Sequence, residues 1–159
     1  MHRVLSLVTM HRFFNIILGF SFAFLLSSCS IRFNHEWKQA LAAQSGKTPS
    51  DITGLWSGSW KSDANGHSGD LRCIVTPIDA QSGACRFHYH ATWMKTLSTT
   101  YDVTHVVKRT GDGFVFSGDQ ELSGAGSGLY HYEGRATPME FRSTFRSVSD
   151  HGVFEMKRP

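Results

Sequence analysis

Three small groups of side chains in this sequence could carry chemistry. Cys73 and Cys85 fall on the apolar phase of neighbouring alternating segments, flanking a turn near Asp79. A register that pairs them would bring their Cβ atoms within disulfide range, which an oxidising compartment would permit. The alternative is a pair of buried thiols packed as small apolar groups. His88 and His90 are two apart and fall on the polar phase of their segment. Two imidazoles are one or two ligands short of a metal site, and His105 or His131 would have to complete it. As a plain pair they face water, and no metal is assigned. Tyr101 and His105 share the apolar phase with Leu97 and Val103, and Tyr130 and Tyr132 share a face of another segment. Polar-tipped aromatics inside a core need hydrogen-bond partners. Those partners are one another in a filled core, or a ligand in a pocket; these four are the candidate pocket residues.

Catalytic signatures are missing. Ser127 sits in Gly126-Ser127-Gly128 without the strand-to-helix context of a nucleophile elbow. The Gly-rich stretch 123–128 has no following Lys-Ser/Thr and opens no helix, so it is not a phosphate loop. No catalytic residue and no cofactor is assigned. A hydrolase or metal enzyme is the reading with least support.

The segments that must position these residues alternate with a period of two. Cys85, Phe87, Tyr89, Ala91 and Trp93 interleave with Arg86, His88, His90 and Thr92. Leu71, Cys73 and Val75 face away from Arg72 and Ile74. Turn signals separate such runs at Asp63–Gly66, Asp79–Gly83, Gly111–Gly113, Ser123–Gly128, Thr137-Pro138 and Asp150–Gly152. The pattern predicts about eight strands, over 53–61, 68–76, 84–93, 98–108, 113–121, 128–136, 140–148 and 152–157. Short connections make sequence neighbours antiparallel neighbours. The predicted fold class is all-β, an up-and-down meander closing into a barrel that has no free edge; a two-sheet β-sandwich is the alternative. The inward set is bulky (Trp56, Trp60, Phe87, Tyr89, Trp93, Phe114, Phe116), which favours a filled interior over a hollow one.

The opening of the first strand reads Gly54-Leu55-Trp56, then Gly58-Ser59-Trp60. A Gly-x-Trp there resembles the calycins: lipocalins, fatty-acid-binding proteins and avidins. The resemblance implies a barrel whose Trp closes one end. It covers residues 52–60 and the meander, and transfers no pocket residue.

Ahead of the domain lies an apolar run over residues 13–26, preceded by Arg12. It is too short for a membrane-spanning helix and fits the core of a secretory signal, with Met1 or Met10 as initiator. It ends in Leu26-Ser27-Ser28-Cys29, which resembles the lipobox of bacterial lipoproteins. The resemblance implies removal of residues 1–28, acylation of Cys29 and, through Ser30 in place of Asp, sorting to the outer membrane with the domain facing the periplasm. Several acyl chains hold a protein on a bilayer durably. Residues 29–51 then read as acylated Cys and tether, with a short helix over Asn34–Gln44 placing Trp37 and Leu41 on one side. The β-domain occupies 52–159. The meander otherwise resembles bacterial lipoproteins to which no activity attaches.

Charge excludes one class of partner. The full chain of 159 residues carries +3. Residues 1–28 hold Arg3 and Arg12 and no acid, so the remainder has 14 basic against 13 acidic side chains, or +1. A nucleic-acid binder needs a clustered basic surface, and none is present. The favoured reading is a monomeric, lipid-anchored barrel that binds an apolar or amphipathic small ligand. A filled barrel with a structural or protein-interaction role in the cell envelope is the alternative.

Overall fold

The computed structural model describes residues 30–94, 96–123 and 127–159. The signal segment and Cys29 lie outside the described residues. The chain forms helix α1 over 30–44 and eight strands: β1 (Gly54–Ser62), β2 (Ser68–Asp79), β3 (Ala84–Trp93), β4 (Leu97–Thr110), β5 (Gly113–Leu122), β6 (Gly128–Ala136), β7 (Glu140–Arg146) and β8 (His151–Lys157). Each strand pairs antiparallel with the next, and β1 pairs with β8, closing a barrel in strict sequence order. This is the calycin-like up-and-down barrel rather than the sandwich.

The alternation does what the sequence demands. Trp56, Leu71, Cys73, Val75, Phe87, Tyr89 and Val103 are all at or below 1% exposed inside the barrel. Closure requires strands to approach closely and bend, and two inward glycines make room. A Cβ on Gly134 would lie 2.1 Å from the Phe116 ring, and one on Gly58 would lie 2.0 Å from the Glu155 carbonyl of β8. β7 stops at Arg146, two residues early, because Ser147 organises the turn. Its amide donates to the Asp150 carbonyl at 2.7 Å, and its hydroxyl accepts the Asp150 amide at 3.0 Å.

Residues 30–44 are not a free tether. Their helix starts four residues earlier than expected and lies along the outside of β1–β3. Phe33, Trp37 and Ala40, spaced i, i+4, i+7, form its buried stripe. Phe33 is completely buried against Leu55 and Ile74. These are cross-strand partners on the outward phase of β1 and β2. Ile74, expected to face water, is therefore covered, while Leu41 points out at 46% exposed. Arg72 stacks its guanidinium on Phe33 and Trp37 and donates to the Asn34 side chain at 2.9 Å. The helix ends at Ser45-Gly46, with Gly46 in the left-handed region.

Candidate ligand cavity

The two ends of the barrel differ. One end, reached by the start of β1 and the end of β8, is closed. Trp56 lies across it, fully buried, and its indole N–H donates to the Ile52 carbonyl at 2.8 Å. The Arg158 guanidinium sits 3.8 Å from the centre of the indole ring. It donates to the carbonyls of Asp51, Thr53 (2.8 Å), Leu55 (3.2 Å) and Pro138 (2.8 Å). Burial lowers the Arg158 pKa to about 10, so the plug stays charged at neutral pH. Phe87, Phe116 and Phe141 pack above it, with ring centres 4.8–6.2 Å apart.

The other end is open. A cavity of about 630 Å³ enters there, between Trp60, Trp93, Tyr101, Leu122, Tyr130, Tyr132, Phe145 and Phe154, with Asn65, His67, Gln120 and Asp150 among its polar lining residues. Its size is that of a small-ligand site, and its aromatic side chains share the lining with polar ones, Asp102, Glu121 and Asp150 among them. Trp60 fixes the wall by donating its indole N–H to the Thr92 carbonyl at 2.9 Å.

All four tyrosines of the sequence, Tyr89, Tyr101, Tyr130 and Tyr132, point into the barrel. Tyr101, Tyr130 and Tyr132 line the cavity. Tyr89, the cross-strand partner of Tyr101, stacks on it at 5.2 Å without lining the cavity, and its hydroxyl meets no polar partner among the described residues. Burial, then the Tyr130 phenol, pushes Tyr132 above its ordinary range, with a hydrogen bond to Tyr101 pulling the other way; burial, with neighbouring phenols and Cys73, pushes Tyr89 and Tyr101 well above theirs. They therefore stay neutral and act as hydrogen-bond donors and acceptors. A phenolate base or nucleophile is not available from them at neutral pH.

His105, the fourth candidate, is inside the barrel but not on the cavity wall. It is completely buried below the tyrosines, edge-on to Phe87 at 4.4 Å and 5.6 Å from the Tyr132 ring. Neither ring nitrogen has a side-chain partner, and burial lowers its pKa to about 4. It is a neutral packing residue.

Cys73 and Cys85 are both buried and both free. The expected bridge is ruled out by register. Cys73 faces Tyr89, and Cys85 faces Pro77. β2 runs to Asp79 with an irregularity at Pro77/Asp79, so the turn falls later than expected. The two cysteines end up about four residues apart along the ladder, roughly 13 Å. Burial raises both thiol pKa values.

His88 and His90 leave the barrel as expected but do not face water. His90 is 5% exposed beneath Phe33, whose ring centre is 4.9 Å away. His88 pairs with Asp102, 3.8 Å from Glu36 of α1. His131 lies on the outer face of β6 with Asp119 at 2.6 Å. These histidines do not converge with His105, so the residues named for a metal site are kept apart. Sequence reasoning missed Arg158, whose only signal is a basic residue just beyond the last strand. Nor does the alternation, which gives Tyr89 only as inward bulk, reveal that its hydroxyl is buried without a partner among the described residues.

Compared with protein-family models, curated proteins and solved structures, the chain has no match in any of the three.

Proposed function

We propose that this protein is a lipid-anchored receptor for one amphipathic small molecule, held at the cell envelope through acylated Cys29. The observation that carries the reading is the half-filled interior. The end at Trp56 is plugged, with an open hollow beside it among Phe114, Ala136, Phe141 and Met156, while the other end keeps a cavity lined by aromatics and the phenols of Tyr101, Tyr130 and Tyr132. Such a wall takes an apolar body, and the phenols orient a polar group by hydrogen bonding. Binding rather than catalysis is the role we propose, because burial keeps the phenols of Tyr101 and Tyr132 neutral, so that they donate and accept hydrogen bonds rather than attack a substrate. The lipobox and the preceding apolar run support export and anchoring, with Ser30 favouring the outer membrane and a periplasm-facing domain.

Two experiments test the two halves of the reading. Native mass spectrometry of the protein purified from its host should reveal a co-purifying small molecule, and Tyr101→Phe should reduce its retention. A barrel that carries nothing and takes up no apolar fluorophore would have a structural role instead. Metabolic labelling with an alkyne fatty acid should tag the wild type and leave Cys29→Ser unlabelled; equal labelling would remove the anchor.

A further inference from the structure

Helix α1 links the point of anchorage to one particular end of the barrel. It begins at Ser30, one peptide bond after Cys29, and the Ser30 hydroxyl lies 3.0 Å from that of Ser98, at the mouth end of β4. At its other end, Gln44 accepts the Leu55 amide at 3.4 Å, beside the closed end. The 15 residues of 30–44 span about 22 Å, so the helix runs from the mouth to the plug. Its buried stripe of Phe33, Trp37 and Ala40 leaves no slack. An acyl group on Cys29 is thus about 3.8 Å of backbone away from a fixed point on the mouth, with no flexible spacer through which the barrel could turn over.

The mouth itself presents apolar side chains. Ile31, Met94, Leu97, Leu129 and Val148 are 47–108% exposed. Ile31 and Leu97 adjoin the Ser30–Ser98 contact in sequence. Met94 projects from the β3–β4 turn with φ of 50°, a left-handed backbone that favours glycine. Apolar side chains held out of the chain beside a lipid attachment point are partners for an interface, where their burial is favourable. At the closed end, Ile78 and Met139 are exposed, but they lie a full barrel length from the start of the helix.

We infer that the barrel seats mouth-down on the bilayer that holds its anchor, so that the aromatic cavity opens onto the lipid surface and takes its ligand from there. This rests on the reading of Cys29 as acylated. It makes the ligand class an amphipathic lipid, with its apolar body among Trp60, Trp93 and Phe145 and a polar group on the phenols of Tyr101, Tyr130 and Tyr132.

The test uses the full chain, purified from its host membrane and reconstituted in phosphatidylethanolamine–phosphatidylglycerol vesicles containing headgroup-proximal spin-labelled lipid. A polarity-sensitive thiol fluorophore is placed at Met94→Cys, at Val148→Cys or, as the closed-end control, at Ile78→Cys. Cys73 and Cys85 are buried with raised thiol pKa values, so they react poorly. The wild type therefore takes label only if Cys29 is free. Val148 is fully exposed, so its variant folds even if Met94→Cys does not. The expected result is an unlabelled, floating wild type, with emission lost at 94 and 148 and retained at 78. Equal quenching at both ends, quenching at neither, or quenching confined to position 94 overturns the mouth-down seating while leaving the anchor intact. A wild type that takes label and does not float overturns the anchor and, with it, this inference.

Discussion

At the closed end of the barrel the polar groups of Trp56 and Arg158 are tied to main-chain carbonyls; at the other end, the phenols of Tyr101 in β4 and of Tyr130 and Tyr132 in β6 line an open cavity. Both ends are built from the same alternation, with Trp56 and Trp60 as successive inward tryptophans of β1. The difference lies in what meets each ring. Trp56 is capped by a guanidinium that reaches four carbonyls. Trp60 is half-buried at a rim with nothing beyond it but cavity.

The largest effect should separate the two tryptophans. Trp56→Ala removes a fully buried indole and strands Arg158, and should cost about 3–5 kcal/mol. Trp60→Ala, at the half-exposed rim, should cost roughly half as much. Urea unfolding of the two variants reads the difference directly. Equal losses would mean that the ends are energetically alike.

Acid should weaken the interior through His105. The unfolded chain takes up a proton near pH 6.5, whereas the buried ring does so only at about 4. Between these values the unfolded state binds more protons, so stability falls as pH drops through the window, by up to about 3 kcal/mol. His90 beneath α1 shifts in the same direction, through burial and then through Arg72. His105→Leu should flatten the part of the pH–stability curve that belongs to the barrel, and leave the part that belongs to the helix. An unchanged curve would mean that the ring is not held neutral.

Arg158→Lys keeps the charge but loses the planar fork that reaches several carbonyls while lying on an indole. It should cost about 1–3 kcal/mol, with no change in ligand retention, because the plug is remote from the cavity. A variant that loses ligand without losing stability would couple the two ends.

The alternation made the barrel legible in the sequence: the eight strands, the inward set and the candidate tyrosines follow from period-two patterning and turn residues. What escaped depended on register or on partners distant in sequence. The Cys73–Cys85 pairing failed on the position of one turn. Ile74, His88 and His90 lie on the outward face that the alternation predicts, but that face is covered by α1, because outward Leu55 and Ile74 offer Phe33 an apolar seat. Arg158 contacts the segment 51–55 from more than a hundred residues away, which no local pattern encodes. The depth of His105, as opposed to its face, depends on how β4 is tilted within the closed barrel.

The smallest effect is the most discriminating, and it compares a tyrosine behind the cavity wall with one on it. Tyr89 holds a buried hydroxyl that meets no polar partner among the described residues. A buried unpaired hydroxyl costs about 1–3 kcal/mol of desolvation, so Tyr89→Phe should leave stability unchanged or raise it by up to about 1 kcal/mol. Tyr130→Phe, on the cavity wall, should change melting by less than about 0.5 kcal/mol and should weaken ligand retention. If the interior were a filled network, both hydroxyls would be paired, and both variants would lose about 1–3 kcal/mol with no effect on any bound molecule. Thermal melts of the two variants, each with and without the co-purifying molecule, distinguish these cases. A ligand that reached down to the Tyr89 hydroxyl would show itself as a third pattern: Tyr89→Phe stabilised when empty and weakened in binding. That result would extend the cavity to Tyr89, behind the wall that Tyr101, Tyr130 and Tyr132 define.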